Sequence, residues 1–259
     1  MKASRKKELL EREKKKLIRE AEEEKLEEKI EEIVKEEELT PEKIREIERE
    51  KKLFAWKPKT ELGRLVKEKK ITNIDEILDK GKVILEPEIV DALLDYEFEL
   101  INIGQSKGKF GGGKRRAWRQ TQKKTAEGNV PKFSAMVVIG DKNGHLGVGM
   151  EKAKETVPAR EKALRRAKLN IFKVVRGCGS FNCCCNEPHS IPFRVEGKCS
   201  GVRVILIPAP RGAGLVADDE LKKVFRLAGI KDIYVKSFGK TRTKYNHVKA
   251  VVDALKKLY

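Results

Sequence analysis

The stretch FSAMVVIGDKNGHLGVGM, from Phe133 to Met150, admits few folds. An apolar run rich in β-branched residues ends at Ile139, and Asp141-Lys142-Asn143-Gly144 follows, with an Asn-Gly pair that favours a hairpin turn. His145 to Gly149 then supplies the return strand. Immediately afterwards, KAKETVPAREKALRRAKLNIF predicts a helix with Pro158 in its first turn. At about 3.6 residues per turn, Ala159, Ala163, Leu164, Ala167 and Ile171 share one face, and Lys162, Arg165 and Lys168 lie opposite. With an earlier strand at Phe98 to Gly104, the order is β-β-β-α: one layer pair, small and apolar inside, cationic outside.

A second unit follows a cysteine-rich loop. Ser190 to Glu196 and Val202 to Ile207 are expected to pair around Gly197-Lys198. Asp218 or Asp219 caps a helix to Ala228, Asp232 to Phe238 is a strand, and Tyr245 to Leu258 a closing helix. The fold class is therefore α+β, with two compact domains. Upstream, Thr60 caps a short helix, a second starts at Asp75, and a third at Pro87 carries Ile89, Val90, Leu93 and Leu94 on one side; this reads as a connector. Residues 1–52 form a charged helical arm, 53–97 the connector, 98–176 the first domain, 177–189 the cysteine-rich junction and 190–259 the C-terminal domain.

Charge narrows the partner class. The 259 residues carry a formal +18, but the first 50 hold 15 Lys or Arg against 18 Asp or Glu, so the remainder is at +21. Such a field draws polyanions, and nucleic acid is the commonest one in a cytosol. No basic amphipathic helix with an aromatic apolar face points to a membrane surface, and no segment has the length of a signal-peptide core or a span. Five cysteines, mostly adjacent, suit thiols or thiolate ligands in a reducing cytoplasm rather than a disulfide framework.

The most basic stretch is KGKFGGGKRRAWRQTQKK, residues 107–124, read as a long loop. Its glycines let the backbone approach another chain, Lys107, Lys109, Lys114, Arg115, Arg116 and Arg119 can neutralise phosphates, and Trp118 can stack on a base. Lys152 and Lys154 precede the long helix, where a GxG strand end superficially suggests a nucleotide loop but lacks both the Walker and the Rossmann spacing; an RNA phosphate fits equally well. In PAPRGAGL, Pro208 and Pro210 fix φ, Gly212 and Gly214 permit positive φ, and Arg211 stands at the tip of an anion site or a plain elbow. No nucleophile or metalloprotease motif occurs around His145, His189 or His247, which argues against an enzyme. Cys178, Cys183 and Cys185, with Cys199 as fourth ligand or His189 as the alternative, supply soft donors for tetrahedral zinc; a thiol-lined packed turn is the competing reading.

From Trp56 onward the chain resembles the archaeal and eukaryotic type of the small-subunit ribosomal protein S-five family, on the archaeal side. The motifs are WKPKTELGRLV with ILEPEIVDALL, FSAMVVIGDKNGHLGVGMEKAKETVPAREKALRRAKLNI, RGCGSF followed by PHSIPF, PAPRGAGL, LAGIKDIYVKSFG and TRTKYN, the last of which contains Arg242. The resemblance implies a double-stranded-RNA-binding-like β-β-β-α domain and a second two-layer α/β domain with a left-handed crossover. It also implies binding to 16S-type rRNA beside the fourth and eighth small-subunit proteins, near the path by which mRNA enters and the decoding region, with effects on assembly and accuracy. No cofactor, membrane or small-molecule substrate is implied. The chain departs from the family in its charged arm, in Lys198-Cys199-Ser200-Gly201 where Cys-Gly-Ser is usual, and in its triple cysteine. Two other classes compete: a free double-stranded-RNA-binding regulator, and a zinc-dependent RNA-modifying enzyme.

Overall fold

The computed structural model describes residues 53–105, 115–183, 185 and 187–258. The charged arm, residues 1–52, falls outside that set, as do Lys107, Lys109, Lys114 and Cys184. The chain divides into Met1–Lys57 and Pro58–Tyr259. Of the first unit, a helical turn closed by Trp56 N–H donating to the Leu53 carbonyl is described.

The second unit begins with three short helices: α1 (Glu61–Lys67), α2 (Asp75–Asp79) and α3 (Pro87–Leu93). Thr60 caps α1 by accepting from Gly63 N–H at 3.1 Å, and Pro87 opens α3 where a missing N–H costs nothing. Contrary to the reading of this region as a mere connector, Ile74, Ile77, Ile84, Ile89 and Val90 are buried. The Lys168 ammonium reaches both Asp91 oxygens at 2.7 and 2.8 Å and tethers α3 to the long helix.

The first sheet holds β1 (Glu97–Leu100), β2 (Trp118–Thr125), β3 (Gly128–Gly140), β4 (His145–Ala153) and β5 (Ile171–Lys173). It is antiparallel throughout, in the order β1-β3-β4-β5, with β2 pairing the first half of β3. Helix α4 (Thr156–Leu169) lies on one face. Ala159, Ala163 and Ala167 are fully buried there, as their spacing predicts. Gly147 and Gly149 meet them so closely that a Cβ on Gly149 would stand 2.2 Å from the Ala163 carbonyl oxygen. The β3–β4 turn is held less by Asn-Gly than by Asp141, whose Oδ1 accepts from Asn143 N–H and His145 N–H at 2.8 and 3.0 Å.

The second sheet has the order β6-β7-β9-β8, from β6 (Val195–Cys199), β7 (Val202–Pro208), β8 (Leu215–Val216) and β9 (Ile233–Gly239). All pairs are antiparallel except β8 with β9, which are parallel across α5 (Asp219–Leu227). Helix α6 (Lys244–Lys256) closes the fold. The β6–β7 turn is at Ser200-Gly201, closed by Cys199 opposite Val202, and not at Gly197-Lys198. Gly197 lies inside β6 because α6 crosses there: a Cβ would sit 2.0 Å from the Ala250 carbonyl oxygen.

The two domains share one core. Met136, Val138 and Leu146 project from the sheet face opposite α4 and join Leu221 and Phe225 of α5 in a single apolar cluster that runs on to Val251 and Leu255 of α6. With both faces covered, the run Ser134–Gly140 is buried at every position. Arg176 clasps the join, donating to the carbonyls of Lys142 at 3.1 Å, Asn143 at 2.7 Å and Gly229 at 3.4 Å.

Candidate functional site

The expected basic loop is shorter than the sequence reading held, because β2 already runs from Trp118 to Thr125. WRQTQKKT has no apolar alternation because neither of its faces is covered: β2 and the first half of β3 form a two-stranded arm, exposed along most of its length. Among the described residues it carries Arg116, Arg119, Lys123, Lys124 and Lys132 exposed. Register then adds Lys152. Arg119 pairs with Ser134, and Ser134 with Lys152, so the two cations flank one buried serine on the same face, about 10 Å apart across the sheet.

The other expected contacts divide into free and engaged. Lys154, Lys162 and Arg165 are exposed, the last two on the outer side of α4 and so on the opposite side of the domain from the Arg119–Lys152 row. Lys168 is turned inward: it pairs with Asp91 and lies 5.1 Å from the Tyr96 ring centre. Trp118 is half-buried with the Arg160 guanidinium 5.4 Å from its ring, which makes it a packing residue at the root of the arm. Arg115 donates to the Arg242 carbonyl at 2.9 Å, so the end of the basic loop and the TRTKYN turn, 127 positions apart, meet. Lys132 escaped the sequence reading because an isolated lysine beside a proline carries no pattern.

The PAPRGAGL turn is held from beneath by Asp232, whose Oδ1 accepts from Gly212 N–H at 3.1 Å and Gly214 N–H at 2.8 Å. Both glycines have positive φ, 88° and 70°, as expected. Arg211 is exposed at the tip, 3.4 Å from a Glu187 oxygen.

Below this turn lies the cysteine loop, its neck closed by two 2.9 Å backbone hydrogen bonds between Gly177 and Ser190. Cys178, Cys183, Cys185 and His189 converge, with one ligand atom of each within 4.8 Å of the others. Cys199 does not join them. It closes the β6–β7 turn and packs on the core, so His189 is the fourth member of the group. The Cys185 thiol shares a hydrogen bond with Cys183 Sγ, which holds Cys183 down to about 6 and pushes Cys185 up to about 11. Asp232, which supports the glycine turn with one oxygen, places the other 2.9 Å from His189 Nδ1. No signal in the sequence links Asp232 to His189.

Charge, arm and turns describe a scaffold, and the close Ser237 Oγ–His247 Nε2 pair, at 2.7 Å, joins β9 to α6. No described helix is long and apolar enough to cross a membrane. The profile "Ribosomal protein S5, N-terminal domain" matches residues 117–175, and "Ribosomal protein S5, C-terminal domain" matches 197–259. The chain is 61% identical over 204 residues to the small ribosomal subunit protein uS5 of Nanoarchaeum equitans, covering 78% of this chain and 87% of that protein. It is 49% identical to uS5 of Thermofilum pendens, covering 79% and 94%, and 48% identical to uS5 of Methanocaldococcus jannaschii, covering 78% and 87%. At that identity over that much of each chain, this protein belongs to the uS5 family of small ribosomal subunit proteins, in its archaeal form.

Proposed function

We propose that the protein is a structural constituent of the small ribosomal subunit, binding 16S-type rRNA through the β2–β3 arm, the Arg119–Lys152 row and the outer side of α4, and that it catalyses nothing. The observation that carries this reading is the arm. A ribbon exposed on most of its length gains little from the protein's own core, and its lysines and arginines find their counter-charge in phosphates, releasing condensed counterions. Arg115, joined to Arg242, extends the same positive field to the C-terminal domain. Lys107, Lys109 and Lys114 belong to this contact set by sequence, as does Arg211 at the tip of its turn.

On this reading residues 98–176 act as a double-stranded-RNA-binding-like domain and 190–259 as the second α/β domain with its left-handed crossover, joined by 177–189. Residues 53–97 brace the first domain, and 1–52 form a charged helical extension. The protein works in the cytoplasm within the small subunit, beside the fourth and eighth proteins and near the path by which mRNA enters the decoding region, supporting assembly and accuracy. The role requires no cofactor, and any metal at the cysteine loop is structural. The protein should co-migrate with small subunits through a high-salt gradient. Recovery in the free fraction alone, binding isolated duplexes at full affinity, would instead identify a double-stranded-RNA regulator.

A further inference from the structure

The cysteine loop brings four potential metal ligands, Cys178, Cys183, Cys185 and His189, together. A tetrahedral zinc with sulfur ligands at about 2.3 Å and nitrogen at about 2.0 Å sets its donor atoms roughly 3.5–3.8 Å apart. Cys178 Sγ and Cys185 Sγ are 3.6 Å apart, and Cys183 Sγ and His189 Nε2 are also 3.6 Å apart. Cys183 Sγ and Cys185 Sγ, at 3.0 Å, need only a small separation to fit the same sphere.

His189 is the second, independent sign. Its ring is buried, 3% exposed, with Nε2 toward the sulfurs and Nδ1 beside the buried Asp232 carboxylate. The close carboxylate favours the ring proton on Nδ1, which leaves the Nε2 lone pair for a metal, although the pair is not aligned as a hydrogen bond. The other Asp232 oxygen accepts from Gly212 N–H and Gly214 N–H, so the cluster is tied through Asp232 into the turn that carries Arg211.

We propose that Cys178, Cys183, Cys185 and His189 bind one structural zinc ion, and that this centre, through Asp232, anchors the Pro208–Gly214 turn. All four positions are filled by protein, so no site is left for an activated water.

Metal analysis of the full chain, purified with reduced thiols and without RNA, tests this independently of any ribosomal role. About one zinc per chain is expected, retained in Cys199→Ser and lost in Cys183→Ser. Because Cys183→Ser need not fold, Co(II) exchanged into the unaltered protein provides the second readout: tetrahedral thiolate-ligated absorption is expected. Asp232→Asn should weaken zinc binding by about 10–100-fold. Chelation should speed hydrogen exchange at the Gly212 and Gly214 amides. Zinc content near zero in the reduced protein, loss of zinc on Cys199→Ser, or a Co(II) spectrum without thiolate ligation would overturn the centre. Unchanged exchange at the two glycine amides after chelation would overturn the anchoring.

Discussion

Single residues decide how closely this chain can approach itself. Ser200 sits at φ 55° in the two-residue β6–β7 turn, a left-handed conformation that costs a side-chain-bearing residue about 1 kcal/mol. Ser200→Gly should therefore raise stability by about 1 kcal/mol in urea unfolding; a loss of stability would mean that the hydroxyl, not the backbone, governs the turn. Gly197 is the opposite case. Its Cβ would fall 2.0 Å from the Ala250 carbonyl oxygen and 2.6 Å from the Ala254 nitrogen, so Gly197→Ala should cost about 2 kcal/mol or more by forcing α6 off the sheet. The sequence placed the turn at Gly197-Lys198, because glycine signals a turn and a close helix crossing with the same letter. Only the register separates them. The same limit applies to the thiols: spacing offered Cys199 and His189 as equals, and the fold separates them by carrying Cys199 away on β6.

At the scale of elements, a titrating network ties α2 to the first sheet. His145, at the start of β4, places Nδ1 2.6 Å from Asp141 Oδ2 and Nε2 3.2 Å from Asp75 Oδ1, and Lys173 on β5 reaches both Asp75, at 2.8 Å, and Asp79, at 3.4 Å. Burial works against a charge on His145, but the two carboxylates outweigh it and raise its pKa above the usual 6.5. The Lys173 hydrogen bond chiefly lowers that of Asp75; for Asp141, burial opposes the shift and is outweighed by hydrogen bonds from the His145 ring and two backbone amides. A raised histidine stabilises fully below about pH 6.5 and loses its contribution as pH rises through the folded value. Lowered aspartates contribute above about pH 4 and lose it as pH falls. The network's share of the urea midpoint, read as the difference between the protein and His145→Gln, should thus be greatest between about pH 4 and 6.5, while His247, lowered by burial, works against stability as pH falls below about 6.5. Identical profiles for the two proteins above pH 6.5 would remove His145 from the account. The elements themselves were legible where burial patterned them: the alanine face of α4, the β3–β4 hairpin and the Thr60 and Pro87 helix starts. Strand β2 was not legible, since a strand exposed on both faces shows no alternation, and a two-residue strand such as β8 is too short to leave a pattern.

Across the whole molecule, one apolar core joins two domains whose cationic groups face outward in several directions. That continuity could not be read from sequence, because an apolar strand buried under one layer and one buried under two differ only in partners distant along the chain. Met136 and Phe225 belong to one apolar cluster although 89 positions separate them. The basic character was legible at once, and the named Arg116, Arg119, Lys152, Lys154, Lys162, Arg165, Arg211 and Arg242 are exposed. The inward turn of Lys168 was not legible, since a helical wheel shows the face but not the Asp91 that waits opposite it. The proposed contact set therefore includes the exposed Arg119, Lys152 and Lys154 and leaves out Lys168. The most direct test is the salt dependence of affinity for 16S-type rRNA, comparing the protein with its Arg119→Ala, Lys152→Ala, Lys154→Ala triple variant. Each lost phosphate contact removes roughly 0.7–0.9 from the log–log slope, so a slope shallower by about 2–3 units is predicted, with folding intact by circular dichroism. An unchanged slope and affinity in the folded triple variant would contradict the claim that these three cations hold the RNA.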